Sequence, residues 1–478
     1  METKINITSK RALALDALRG FAILTMILSG QIPFHTNTLP AWMYHAQVPP
    51  PEHKWIPTLP GITWVDLVFP FFLFAMGAAF PLALSRRLES GVPKWKISLS
   101  ILERGFLLGF FALYVQAIRP YVISKSPTTE TFLIALLAFF LCFPIYTRLP
   151  ENWNMWFKIG LRLVGWISAL LLLFNLKYPD GSGFSLYRSD IIIVVLTNMA
   201  VFGSFIWLIT RSNLLVRLGL LGILIAVRLS NMPNQIEGWV SQIWNYSPIP
   251  WMYRLYYLQY LFIVIPGTIA GDILLKWMKT RDEKNEKGWS RVQYIFIAFL
   301  MFFFVFELLV GLYNRWLIET TILTFVLLFL TYYLMKNPIS SNERLYLELF
   351  YWAIYWLVLG LFFEPYEGGI KKDKATLSYY FITSGLAICT IIFFSIIIDV
   401  FKKQKWVQLL IDNGQNPMIA YAGVNNFIIP ILSLTGLMKL LNMMAVTPWL
   451  GFLKGLIITI LLALFVSLCT RLKIFWRT

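Results

Sequence analysis

Apolar runs long enough to cross a membrane as helices recur along this whole 478-residue sequence. A helix needs about 20 mainly apolar residues to span the hydrocarbon core of a bilayer. In lipid every backbone polar group must be satisfied within the protein, which favours helices as the spanning form. Charged residues make up only 14% of the chain, whereas soluble proteins contain about 25%. The sequence therefore predicts an all-α, polytopic transmembrane helical bundle.

The apolar runs predict about 11–14 membrane helices. The upper figure counts every run, and the lower one allows for two short runs and one that contains Pro430. No soluble domain interrupts the series, so residues 1–478 form one integral membrane domain. The predicted segments are 14–33, 64–84, 99–117, 130–147, 157–176, 190–210, 214–229, 256–276, 293–313, 320–335, 347–363, 379–401, 417–435 and 450–470.

The distribution of basic residues predicts a cytoplasmic N terminus, because loops rich in Lys and Arg stay on the cytoplasmic side. This topology places the loop 34–63 outside and makes 277–292 the most charged cytoplasmic loop. It also explains the net charge of +17 without a nucleic-acid partner. The outer loop 364–380 breaks the rule, since it carries Lys371, Lys372 and Lys374. Either the helix count is wrong nearby, or these lysines have a function.

All three histidines of the chain, His35, His45 and His53, lie in the loop 34–63. Asp66 follows at the mouth of the second segment. A carboxylate beside an imidazole fixes its tautomer and raises its basicity, which suits a general base or a transient acyl carrier. Each histidine alone could be an ordinary loop residue, but their confinement to one loop favours a function for one of them. Their spacing fits no standard metal site, so no metal is predicted.

Polar residues near the opposite membrane face form a second candidate group. Asp16 and Arg19 are spaced i, i+3 in the first segment, so they share a helix face and can pair. Such a pair inside a membrane helix marks either an anionic-ligand contact or a structural tie between helices. Glu103 and Arg104 are adjacent and point to different sides, and we interpret them as structural. Asn416 precedes Pro417 at a helix start, where capping is the alternative to ligand binding.

Four stretches of this sequence resemble one enzyme family. LDALRGFAILTMI and GITWVDLVFPFFLFAMG flank the histidine loop, and GGIKKDKATLSYYFITSGLA and GQNPMIAYAG follow in order. Together they resemble heparan-α-glucosaminide N-acetyltransferase and its bacterial relatives. The most specific part is D-x-x-R-G followed by D-L-V-F-P-x-F-x-F-x-x-G, since this pair at this spacing is improbable by chance.

The resemblance implies a transmembrane acyltransferase that moves an acetyl group from cytoplasmic acetyl-CoA to an extracytoplasmic amino sugar. The aspartate of D-L-V-F-P is Asp66, and the family histidine aligns best with His53, with His45 as competitor. In this interpretation His53 is the base or acyl carrier and Asp66 orients it. The implied acyl-CoA contacts are Asp16, Arg19, Asn416 and Tyr421, and the implied substrate contacts are Lys371, Lys372 and Trp55.

The sequence departs from the family at SGQIPF and WIPTLPG, both on the predicted outer side. These departures affect the identity of the carbohydrate acceptor more than the acyl transfer itself. The rival interpretation is a sugar permease, which the many helices and aromatic outer loops also suit. We expect a bacterial cytoplasmic membrane location with the histidine loop in the periplasm. The expected partners are acetyl-CoA, the acceptor and the bilayer, with no nucleic acid, and the sequence leaves open whether a homodimer forms.

Overall fold

The structure is a computed structural model that describes residues 12–34, 38–231, 238–280 and 288–478. Across these residues the long elements are helices, and extended pairing is limited to one isolated bridge between Thr147 and Trp476. The long helices are α1 (Leu13–Ser29), α2 (Trp64–Glu89), α3 (Lys94–Ala117), α4 (Thr129–Tyr146), α5 (Met155–Asn175), α6 (Ile191–Thr210), α7 (Leu214–Ser230), α8 (Leu255–Thr280), α9 (Arg291–Tyr313), α10 (Leu317–Met335), α11 (Ser341–Phe363), α12 (Leu377–Val400), α13 (Pro417–Leu434) and α14 (Pro448–Arg471).

Each predicted membrane segment coincides with one of these helices, which confirms the all-α polytopic bundle. Twelve helices among the described residues are long and apolar enough to cross a membrane. The remaining two, α1 and α7, have 17 residues each. Shorter helical turns lie between the long helices at Ala41–Met43, Pro120–Ile123, Trp239–Asn245, Gln404–Val407, Gln408–Gln415 and Leu437–Met444.

Three helices form the centre of the bundle, and others lie at its edge. Most of the apolar stretch of α2, α8 and α12 is buried, at 83%, 83% and 89%, against 17% for α5. The α2–α8 contact is close because Gly267 and Gly271 of α8 face α2. A Cβ on Gly267 would stand 2.4 Å from the carbonyl oxygen of Phe74. Small residues spaced in this way let the backbones of membrane helices approach each other.

The short helix Gln408–Gln415 crosses α1 at two glycines. A Cβ on Gly20 would stand 1.8 Å from the carbonyl oxygen of Leu410, and a Cβ on Gly414 would stand 1.8 Å from that of Asp16. No other residue type fits at such a crossing without moving the backbone. The crossing therefore fixes Asp16 and its neighbours against the second half of the chain.

The two ends of the bundle carry the two groups of predicted site residues. We call the end where α1 starts the amino-terminal face, and the end where α1 stops the histidine-loop face. The loops 38–63 and 364–376 meet at the latter, where the amide of Gly61 donates to the carbonyl of Ile370 at 2.7 Å. His35 and residues 281–287 of the predicted charged loop lie outside the described residues. Which face is cytoplasmic stays a prediction.

Candidate functional site

Asp66 is held in place by the start of α2. Thr63 caps the helix, and its backbone amide donates to Asp66 Oδ2 at 2.9 Å. The amide of Ala46 donates to the same oxygen at 3.2 Å, so the histidine loop is fastened to the helix end. On the α12 side, the Tyr379 hydroxyl donates to the Asp66 carbonyl at 2.7 Å. With its side chain fully buried, Asp66 has one remaining oxygen, Oδ1, that faces the loop.

His45 occupies that position. Its Nδ1 lies 2.7 Å from Asp66 Oδ1. Because a carboxylate only accepts hydrogen bonds, this contact places a proton on Nδ1, and in the neutral imidazole Nε2 then presents a lone pair. The His45 side chain is 30% exposed while Asp66 is inaccessible. The arrangement is a reachable imidazole oriented by a buried carboxylate, as in catalytic His–Asp pairs.

The predicted pairing of His53 with Asp66 is wrong. The His53 ring packs between Phe34 and Tyr44, with ring centroids 4.7 and 4.5 Å apart. Its Nδ1 lies 3.4 Å from the carbonyl oxygen of Val48, and only 8% of the residue is exposed. The family motif favours His53 because Trp55 follows it and Gly61 and Thr63 keep their places before Asp66, but the chain between His53 and Asp66 does not run straight to α2.

Residues 48–58, which we call the proline loop, make a closed excursion. It closes on itself where the amide of Ile56 donates to the carbonyl of Gln47 at 2.8 Å. The Gln47 side chain is buried and donates to the carbonyls of Leu59 and Gly61 at 3.0 and 3.2 Å. His45 therefore lies beside α2, whereas His53 lies within the proline loop. Trp55, a predicted substrate contact, is also on the proline loop and is 54% exposed.

The two predicted lysines have different surroundings. Lys372 Nζ lies 3.1 Å from both ring nitrogens of His45. Lys371 Nζ instead donates to the carbonyls of Glu367 and Gly368 at 2.7 and 3.3 Å, so it holds its own loop together. The helices α11 and α12 on either side coincide with predicted segments, so a miscounted helix does not explain these lysines. We call His45, Asp66 and Lys372 the histidine site.

A cavity of about 270 Å³ lies among α1, α2, α3, α6, α13 and the chain after α14. Along α2 it is lined by Phe72, Met76, Ala79 and Ala83, which are three or four residues apart and so share one side of the helix. Most other lining residues are also apolar. Polar groups concentrate at the amino-terminal face, where Arg19, Arg104 and Arg477 line the wall. We call this space the arginine cavity.

Asp16 and Arg19 form the predicted pair, with 3.5 Å between Arg19 Nη1 and Asp16 Oδ1. Arg19 also donates to the carbonyl of Gly414 at 3.2 Å and to that of Ala75 at 3.4 Å. It thus ties α1 to α2 and to the short helix Gln408–Gln415 while lining the cavity. Both alternatives left open by the sequence, a structural tie and a ligand contact, are compatible with this position.

Asn416 and Tyr421 have separate roles in the wall. Asn416 does not line the cavity; its Nδ2 donates to the carbonyl of Ile474 at 2.7 Å, and its Oδ1 accepts from the amide of Trp476 at 3.3 Å. Tyr421 lines the cavity and donates its hydroxyl to Asp190 Oδ2 at 2.8 Å. Asn416 therefore positions the wall, and Tyr421 is part of it.

Sequence reasoning missed two arginines of the cavity. Arg104 and its neighbour Glu103 point to different sides of α3, and Glu103 is exposed. Their spacing excludes a joint site for the pair but not a role for Arg104 alone. Arg477 follows the last helix, where a basic residue usually indicates only membrane topology.

Residues 11–274 match a protein family described as a domain of unknown function (DUF5009). The chain belongs to this family. A search of curated proteins found no match. The matched region runs from α1 into α8 and includes His45, Asp66, Arg19 and Arg104, whereas Lys372 lies beyond it. The His45–Asp66 pair is thus within the family region.

Proposed function

We propose that this protein is a transmembrane acyltransferase that moves an acetyl group from acetyl-CoA to an amino sugar on the other side of the membrane. The observation that carries the proposal is the partly exposed His45 that lies 2.7 Å from the buried Asp66. The resemblance of the flanking motifs to heparan-α-glucosaminide N-acetyltransferase supports the same reaction. His45 replaces His53 as the proposed catalytic histidine.

In the proposed reaction the acceptor amine attacks the thioester carbonyl of acetyl-CoA. A C–N bond forms, the C–S bond breaks, and the amine proton passes through His45 Nε2 to the departing sulfur. Asp66 stabilises the imidazolium that forms in between. A thioester is already activated, so the protein needs to supply only position and a base. Transfer through an acetyl-His45 intermediate uses the same atoms in two steps.

Lys372 adds a positive charge to the histidine site. Its ammonium group is 3.1 Å from His45, next to where the reacting carbonyl would lie. The carbonyl oxygen becomes negative in the tetrahedral intermediate, and a fixed cation beside it lowers the barrier. Lys372 is thus proposed to stabilise the oxyanion, while Lys371 serves the loop.

The donor is proposed to enter from the amino-terminal face through the arginine cavity. Its lining along α2 runs from Ala83 to Phe72, about 16 Å at 1.5 Å per residue. Phe72 is less than two turns, about 9 Å, from Asp66 by the same rise. Residues six apart point to different sides of a helix, so the acetyl group has to pass around α2 over these last turns.

The test is acetyl-CoA turnover by the purified protein in liposomes, with and without glucosamine. We expect acceptor-dependent release of CoA that is lost in His45→Ala and retained in His53→Ala. Absence of CoA release with every amino sugar tried would contradict the proposal. Sugar uptake into the same liposomes would then favour the permease alternative.

A further inference from the structure

The chain after α14 folds back into the bundle. Trp476 is 2% exposed and packs against aromatic rings of α3 and α4. The ring centroids of Phe143 and Phe139 lie 5.1 and 5.3 Å from it. This burial anchors residues 473–478, which we call the return segment, against the helices that surround the arginine cavity.

Hydrogen bonds from two sides hold the return segment. The amide of Arg477 donates to the carbonyl of Tyr146 at 2.8 Å, and the amide of Arg148 donates to that of Phe475 at 3.2 Å. Asn416 bonds the segment on its other side, at Ile474 and Trp476. Because the segment is bonded on both sides, the side chain that follows Trp476 has a defined position.

That side chain is Arg477, which reaches the cavity wall together with Arg19 and Arg104. The three guanidinium groups come from α1, α3 and the return segment. Among the described residues that line the cavity, none carries an acidic side chain. Asp16 does not line the cavity and lies 3.5 Å from Arg19, so the charged side chains of the lining itself are all positive.

Arg104 gives an independent sign of a ligand. Its Nε is buried and finds no hydrogen-bond partner among the described residues. A buried donor without a partner costs free energy, and more so when it is charged. An anion in the cavity would supply the missing acceptor. Arg477 is exposed, so this end can be reached from the amino-terminal face.

We propose that Arg19, Arg104 and Arg477 form a site for a molecule with two or more phosphate groups, and that the return segment is a built part of this site. Three guanidinium groups match several phosphates better than a single carboxylate. The remaining wall, with Phe72, Met76 and Leu108, suits a long and less polar arm. The inference rests on the proposed function in taking CoA as the probe.

The test is calorimetric titration of the purified protein, in a neutral detergent, with CoA, pyrophosphate and pantetheine. Arg104→Gln and Arg477→Gln each remove one guanidinium and keep much of its length. We expect CoA to bind about tenfold or more weakly to each variant, since hydrogen bonds to charged groups contribute about 1.5–3 kcal/mol. Lys473→Gln is the matched control, because Lys473 is exposed on the same segment, and we expect its CoA affinity to stay within about twofold.

The three probes distinguish recognition of the phosphate groups from recognition of the less polar pantetheine arm. Pantetheine lacks phosphates, so its affinity should not respond to Arg477→Gln, whereas pyrophosphate should bind and lose affinity in the same variant. Unchanged CoA affinity in both arginine variants would overturn the proposal. Competition between CoA and added anionic lipid would assign the site to lipid headgroups instead, which also overturns it.

The outcomes distinguish this site from the proposed reaction. Arginine-dependent CoA binding without acetyl transfer to any acceptor would remove the acyltransferase and keep the site. Acetyl transfer with an unchanged KM for acetyl-CoA in Arg104→Gln and Arg477→Gln would keep the enzyme and remove the site. Thermal unfolding of each variant verifies that it is folded.

Discussion

The histidine site and the arginine cavity carry charge in opposite ways. In the histidine site a buried carboxylate, an imidazole and an ammonium group already contact one another, at 2.7 and 3.1 Å. In the arginine cavity three cations face a common space whose described lining contains no acidic side chain. In the histidine site the charges already face opposite charges, whereas in our proposal the arginine cavity is completed by an anion.

This difference suggests a division of labour. Charges fixed in advance stabilise a transition state without reorganisation, which suits the chemical step. An excess of one sign in a cavity attracts a ligand of the other sign, which suits binding. Changes at the histidine site should therefore lower turnover and leave CoA affinity intact, and changes at the arginine cavity should do the reverse.

The largest effect is expected for His45→Ala. Removal of a general base lowers turnover by about 10²–10⁴-fold, while CoA affinity measured by calorimetry should stay the same. His53→Ala is the matched control, since His53 packs between two aromatic rings away from Asp66. Equal losses of turnover in both variants would break the comparison, because the distinction between the two histidines would then be wrong.

Asp66→Asn should lower turnover by about 10²-fold. The asparagine oxygen can still accept from Thr63, but its amide group would donate to His45 Nδ1. The ring proton would then move to Nε2, and the base would be lost. Kinetics at saturating acetyl-CoA measure this loss, with thermal unfolding as a test of folding. Full activity of Asp66→Asn would show that the tautomer of His45 does not matter.

Gly20→Ala should lower stability by about 1–3 kcal/mol, because the new methyl group overlaps the backbone of the short helix Gln408–Gln415. It should also weaken CoA binding, because Arg19 directly precedes Gly20 and lines the arginine cavity. Gly222→Ala is the control, because a Cβ there meets no atom within 4 Å. Thermal unfolding in detergent compares the two. A Gly20→Ala protein as stable as Gly222→Ala would contradict the close crossing.

The smallest effect is expected for Lys372→Met, with turnover reduced about tenfold, as about 1.4 kcal/mol of oxyanion stabilisation is lost. Lys374→Met removes the same charge from the same loop at an exposed position and should have no effect. Turnover at saturating substrates measures both. If Lys374→Met is as slow as Lys372→Met, then loop charge in general, rather than the contact with His45, determines the rate.

Most of the fold could be predicted because the length of an apolar run alone determines a membrane helix. The largest boundary error is at α11, which starts at Ser341 and not at 347. Ser340 and Glu343 form a capping box there, and Glu343 is buried although acidic residues are rare within membrane helices. Local capping chemistry thus extended the helix beyond its apolar run.

The sites were less predictable, because they depend on how loops close. The motif alignment favours His53, whereas the closure between Ile56 and Gln47 and the bond from the Ala46 amide to Asp66 place His45 beside that carboxylate. Lys372 stood out because it violates the charge rule for outer loops. For Arg477 the one available signal was Trp476, since a large aromatic residue beyond a helix end has to find a place to pack.

The closure of the proline loop at Gln47 has an evolutionary consequence. Because the excursion leaves and returns at nearly the same point, its exposed residues, such as Trp55, can be exchanged while the closure at Gln47 keeps His45 in place. If the proposed acyl transfer holds, relatives with different proline loops would share the reaction and differ in the acceptor they take. Grafting this loop from one relative onto another would then transfer the acceptor preference.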